Sequence, residues 1–285
     1  MIVAELEGVT KAFGRVHALQ GVSFGVRTGE VVALLGANGA GKTTAISMLL
    51  GLRRPDTGAA RVFGADPRAP RSRRGLGATP QESAFPATLR VRELVSLVSA
   101  HYREPESAES LLGRFLLREL APRQVGGLSG GERRRLGVAL AFAGRPGLVI
   151  LDEPTVGVDP QSRERIYEML AGLTRAGVSL LLTTHHLGEA DALASRVVLL
   201  EAGRVAADGA IAALKAAAGT FVVRFLADDG VPVAGATRDG PFLELRTRDS
   251  RATVECLLRA GVLLEGLEVR PLTLEEALAV ERARP

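Results

Sequence analysis

The chain has 285 residues, 46% of them hydrophobic and 24% charged, the profile of an ordinary globular protein that can bury a core without disulfide or metal staples. Its 36 basic and 32 acidic residues leave a formal charge of +4. Basic and acidic residues interleave, so no nucleic-acid-binding tract is expected, and the densest arginine cluster (Arg68, Arg71, Arg73 and Arg74) reads as a solvated face. A single cysteine, Cys256, excludes a disulfide framework and fits a reducing, cytoplasmic setting.

The opening MIVAELEGVT carries two glutamates and no basic region, so no signal peptide is expected. The longest unbroken apolar run, residues 138–143, is far short of the roughly 20 residues of a membrane-spanning helix. Work at a membrane would therefore need a partner. The first strand-like run is residues 31–35, VVALL. It leads into GANGAGKT at residues 36–43, which fits G-x-x-x-x-G-K-[ST], and then into a helical pattern over residues 44–50. Gly36, Gly39 and Gly41 let backbone N–H groups turn toward phosphate oxygens, and the helix that follows offers its positive end to the same anion. Lys42 is placed to reach the β- and γ-phosphates, and the Thr43 hydroxyl to ligate Mg²⁺.

Between about residues 82 and 128 the strand signals vanish. Leu94, Leu97 and Val98 form one helical stripe, and Leu112, Phe115 and Leu116 another, predicting a small helical insertion. Residues 128–132 read LSGGE, in which Ser129 and Glu132 fit a capping box. The apolar run 148–151 ends in LDEP. Asp152 is placed to hold Mg²⁺, and Glu153 to polarise an attacking water. Asp159 before Pro160 reads as a helix N-cap followed by its first residue. A third strand-like run, residues 178–182, precedes TTHH, whose adjacent histidines should point to opposite faces of an extended segment. Strand, loop and helix thus alternate as in an α/β domain with a largely parallel sheet.

Beyond Gly219 the texture changes. Phe221, Val223 and Phe225 alternate, as do Leu243 and Leu245; Val254, Leu257 and Leu258 have helical spacing; Leu267 and Val269 suggest another strand. Thr273 and Glu276 fit a capping box for a last helix. The predicted division is a phosphate-loop α/β domain at residues 1–218 and a small α+β appendage at residues 219–285.

The GANGAGKT loop, LSGGE and LDEP, in that order, resemble the motifs of the ATP-binding cassette (ABC) ATPases. Gln81 in ATPQES matches the family's Q-loop glutamine, Asp159 its D-loop, His185 its switch histidine, and Phe13 in KAFG its adenine-stacking aromatic. The resemblance covers about residues 1–215. It implies the P-loop ABC fold with a helical subdomain inserted, ATP and Mg²⁺ as ligands, and Glu153, His185 and Gln81 as catalytic groups. Phe13, Asn38, Ala40 and Thr44 would join the three loop glycines, Lys42 and Thr43 in nucleotide binding, and Thr43, Gln81 and Asp152 would serve the metal. Ser129, Gly130, Gly131 and Asp159 would meet the ATP held by a second subunit. It also implies a head-to-tail dimer, homo- or heteromeric, docked on the inner face of the cell membrane through a permease on another chain. The appendage resembles that of drug-resistance-type exporters; an importer subunit, or a soluble ABC protein acting on nucleic acid or ribosomes, are the alternatives. The chain departs from the pattern at Val158, where leucine is usual, at His186, where tyrosine is common, and in a short interval between Gln81 and Ser129.

Overall fold

A computed structural model describes residues 1–79, 85–175, 177–217, 219–226 and 233–282. The chain divides into two compact units, Met1–Gly209 and Ala210–Pro285. The compositional break at Gly219 therefore lies after the start of the second unit.

In the first unit the elements run β1 (Ile2–Phe13), β2 (Val16–Arg27), β3 (Val31–Leu35), α1 (Lys42–Leu49), β4 (Thr57–Val62), α2 (Pro70–Arg73), β5 (Leu76–Thr79), α3 (Val91–Ser99), α4 (Ala108–Arg114), α5 (Gly130–Ala141), β6 (Leu148–Asp152), α6 (Pro160–Arg175), β7 (Ser179–Thr184), α7 (Leu187–Leu193), β8 (Arg196–Glu201) and β9 (Arg204–Ala210). Six strands form one sheet in the order β5-β6-β7-β3-β8-β9, with the pairs from β5 through β8 parallel. Strands β3, β6 and β7 are buried at every residue, as expected for a parallel sheet covered on both faces. A second, antiparallel sheet, β2-β1-β4, has no counterpart in the sequence reading. Its inward residues Leu6, Val9, Val22, Phe24 and Val62 share one core with Ile46, Met48 and Leu49 of α1 and with Leu34, Ile150, Leu181 and Val198 of the parallel sheet.

The helical insertion expected near residues 82–128 carries α3 and α4 between β5 and α5. Val91, Leu94 and Val95 are the buried apolar residues of α3, while Leu97 is 51% exposed. Leu112 and Phe115 are buried, but Leu116 is 56% exposed, because the chain leaves α4 through Leu116 at φ +53° and the helical period stops there. The second stripe is thus one residue narrower than its spacing suggested, whereas the first is shifted, losing Leu97 and gaining Val91 and Val95. Among the described residues no helix is long and apolar enough to cross a membrane.

The second unit comprises α8 (Ile211–Ala217), β10 (Phe221–Leu226), β11 (Thr237–Asp239), β12 (Phe242–Thr247), α9 (Ser250–Arg259), β13 (Glu268–Pro271) and α10 (Leu274–Arg282). Its antiparallel sheet runs β11-β12-β10-β13. Val223 and Phe225 of β10 pack with Leu257 and Val262, and Val222, on the other face, with Leu272 and Ala277.

Candidate functional site

Residues 36–43 join β3 to α1, and backbone contacts set their path. A Cβ on Gly36 (φ +154°) would lie 2.5 Å from the Leu200 carbonyl oxygen, and one on Gly41 (φ +107°) 2.5 Å from that of Ala18. Only glycine lets the loop sit this close to β8 and β2. Ala40 is buried, and its carbonyl oxygen accepts the Gly203 N–H. Gly41 caps α1, so the free N–H groups of the helix's first turn stand at the loop. Asn38, Gly39, Gly41, Lys42, Thr43 and Thr44 line a cleft of about 460 Å³, closed on the other side by Glu153, Val156 and His185. Val16 and Ala18 of β2 form its remaining wall.

Lys42 is buried. Its Nζ donates to the carbonyl oxygens of Gly36 at 2.7 Å and Ala37 at 3.2 Å, and stands 3.9 Å from Glu153 Oε1. The same carboxylate oxygen lies 3.2 Å from His185 Nδ1. Glu153 thus links the loop lysine to the histidine beyond β7. Its backbone is left-handed, φ +49°, an uncommon state for a side-chain-bearing residue. Thr183 holds it there: the Glu153 N–H donates to Thr183 Oγ1 at 2.9 Å, while the Thr183 hydroxyl donates to Asp152 Oδ1. Asp152 is buried by these contacts and does not line the cleft, whereas Thr43 is exposed within it. Both offer oxygen donors, the hard ligands Mg²⁺ takes.

His185 and His186 do not diverge as an extended segment would make them. Their ring centroids are 4.1 Å apart, because β7 ends at Thr184 and His186 already caps α7. Burial, with His185 and Arg163 adding to it, holds the His186 imidazole below its ordinary pKa. Behind them Glu189 is buried; burial raises its carboxyl pKa, and the Thr155 hydroxyl donates to it at 2.9 Å.

Ser129 caps α5 in the expected box: its Oγ accepts the Glu132 N–H at 3.2 Å, and its own N–H donates to Glu132 Oε2 at 2.7 Å. That backbone N–H holds the Glu132 carboxyl below its usual range. Asp159 caps α6, accepting the Ser162 N–H at 2.9 Å. The two helix starts adjoin: a Cβ on Gly131 would lie 3.2 Å from Asp159 Oδ2, and one on Gly130 3.7 Å from the Gly157 carbonyl oxygen. Ser129, Gly130, Gly131 and Asp159 form this second cluster, and none of them lines the Lys42 cleft.

One expected nucleotide-binding residue stands apart. Phe13 is 41% exposed at the end of β1 between Arg53 and Lys11, whose charged groups lie 5.1 and 5.8 Å from the ring centroid, and it does not line the cleft. Gln81 lies outside the described residues. The sequence reading missed Arg134 altogether. Its buried guanidinium donates from Nε to the Pro154 carbonyl oxygen at 3.1 Å, and from Nη2 to those of Glu153 at 2.7 Å and Asp152. Within GGERRR it is one arginine of three, and nothing local singles it out.

A glycine-turned phosphate loop between a parallel strand and a helix, opposite an acidic strand end, is the geometry of a P-loop nucleotide site. Comparison with known proteins narrows this. The ABC transporter family profile matches residues 19–156. The chain is 38% identical to the daunorubicin/doxorubicin resistance ATP-binding protein DrrA of Streptomyces peucetius, over 82% of this chain and 73% of that one. It is 40% identical to the Nod factor export ATP-binding protein I of Paraburkholderia xenovorans, over 88% and 84% respectively. The solved structure of an ATP-binding subunit of an ABC transporter superposes with a TM-score of 0.69 at 29% identity, covering 76% of this chain and 93% of that one. The chain belongs to the ATP-binding proteins of ABC transporters, a family of ATPases.

Proposed function

We propose that this protein binds and hydrolyses Mg-ATP to drive an exporter, as one of two ATPase subunits bound to a membrane-spanning permease on another chain. The observation that carries the reading is the single carboxylate, Glu153, lying between Lys42 and His185 at the mouth of the phosphate cleft. The names of the relatives, drug resistance and Nod factor export, support export as the direction. The protein would then work on the inner face of the cell membrane, held there by the permease, with no nucleic acid involved.

The proposed roles follow from chemistry. Lys42 exchanges the loop's own carbonyl oxygens for phosphate oxygens, which it binds more strongly because they are charged. The loop N–H groups from Gly36 to Thr44, with Asn38, Gly39, Ala40 and Gly41, surround the same phosphates. Glu153 accepts a proton from the attacking water, and His185 orients the carboxylate and contacts the terminal phosphate. Magnesium, when bound, supplies charge neutralisation at the phosphates; Thr43 and Asp152 would hold it, with Gln81 as the third group. Phe13, flanked by two cations at a strand end, would meet the adenine only if the base extends past Val16.

Ser129, Gly130, Gly131 and Asp159 stand outside this chain's own cleft, and in this reading they complete the site of the second subunit. Complementation tests that. Ser129→Arg fills the anion seat, and Lys42→Ala removes the phosphate contact. Each variant alone should lose ATPase activity, whereas a mixed dimer carries both lesions in one site and none in the other. Activity returning on mixing supports the two-subunit site, and full activity of Ser129→Arg alone refutes it. The second unit, which begins at Ala210 rather than at the expected residue 219, would be needed for regulation rather than for ATP chemistry.

A further inference from the structure

In the two-subunit reading the start of α5 serves the partner's nucleotide. Its second turn serves a different place. Arg134 reaches from α5 to the turn that ends β6, where its buried guanidinium donates to three successive carbonyl oxygens, those of Asp152, Glu153 and Pro154. These acceptors lie in the segment that bends through the left-handed Glu153. Buried carbonyl groups need donors, and here the planar guanidinium fork of one side chain supplies them. On the opposite side of the turn the Glu153 N–H is held by Thr183. The catalytic turn is therefore clamped from both sides: one jaw is β7, the other is α5.

We infer that Arg134 is a positioning residue for the catalytic carboxylate of its own chain, although the helix that carries it begins at the partner's site. Its three bonds hold the turn at the backbone angle that aims Glu153 at His185 and Lys42. The helix start that contacts the partner's ATP and the turn that carries this chain's own Glu153 are thereby one mechanical piece. This rests on the two-subunit reading, and the control below fails separately if that reading is wrong.

The test replaces Arg134 by Met, which keeps length and packing without donors, and by Lys, which keeps charge and some donors without the fork. Arg134→Met should bind ATP with a dissociation constant within about threefold of the native one while kcat falls about 10- to 100-fold; Arg134→Lys should fall between. Circular dichroism shows that each variant is folded, and the Lys variant carries the test if the Met variant is not. Mixed dimers then locate the effect. A mutation acting in cis should complement Ser129→Arg, because the other site is intact, and should not complement Glu153→Gln, because each site then has one damaged turn. Lys42→Ala with Ser129→Arg is the control, and its failure counts against the two-subunit reading. Given that control, an Arg134 variant that fails to complement Ser129→Arg, or one with native kcat, overturns the cis-positioning role.

Discussion

Glu153 shows how much one side chain is asked to do. It occupies a left-handed backbone position that costs roughly 1–3 kcal/mol for a non-glycine residue, and such strain persists only where neighbours over-determine it. Thr183 and Arg134 are those neighbours. Glutamine keeps the shape but cannot accept a proton, so Glu153→Gln should bind ATP and lower kcat by about 10²- to 10⁴-fold. With its carboxylate neighbour neutralised, Lys42 loses a competitor for phosphate, so affinity should rise slightly. Stopped-flow turnover and nucleotide titration measure both, and a native kcat in the variant would remove Glu153 from the chemistry. The motifs that carry Lys42, Asp152, Glu153, Ser129 and Asp159 were legible because each is short and its loop, strand end or cap is local. Arg134 was not, because its acceptors are backbone carbonyls about twenty residues away and a carbonyl leaves no mark in a sequence.

At the level of elements, burial decided what could be read. The fully buried strands β3, β6 and β7 announce themselves as apolar runs. Strand β1 does not: register shifts at Leu6–Val9 and Lys11–Ala12 break the alternation a half-buried strand would show. The close approach of the two histidine rings was hidden for a related reason, since the strand ended one residue too early for alternation to hold. Capping boxes were legible because both partners lie within one turn. The box that opens α10 carries a further consequence. Glu276 accepts from Arg270 Nη1 at 2.8 Å and from the Thr273 N–H at 2.7 Å, and these bonds, the arginine first, lower its pKa from 4.5 to about 2. A depressed carboxylate pKa contributes stability that is complete above about pH 4.5 and is lost as the pH falls toward about 2. Glu276→Gln should therefore destabilise the second unit by roughly 1–3 kcal/mol at neutral pH, with the difference vanishing near pH 2. Urea titration of that unit at a series of pH values measures it, and a pH-independent difference would show that the charge of Glu276 contributes nothing.

For the whole molecule, the division at Gly209 rather than Ala218 changes where the chain should be cut. Helix α8 packs against α10 within the second unit, and Ile211 is buried there. A chain ending at residue 218 would leave that helix without its support, whereas one ending at Gly209 removes the unit cleanly. The shorter form should be the better behaved, monodisperse by size exclusion and binding ATP with a dissociation constant within about threefold of the full chain. A soluble 1–209 fragment that fails to bind nucleotide would mean that the second unit is part of the ATP site. Composition placed the break later because a sequence boundary marks a change of texture, and α8 has the texture of the unit it does not join. The phosphate loop has a consequence on this scale too. Its close packing under Gly36 and Gly41 is against carbonyls of residues 200 and 18, so strands from both ends of the first unit mould it. Contacts so distant in sequence are entropically costly to close. The loop's shape therefore depends on this unit being essentially folded, and a chain lacking β2 or β8 should not bind ATP. ATP in turn acts as a folding ligand for the finished unit, adding about 2.7 kcal/mol at a hundredfold excess over its dissociation constant.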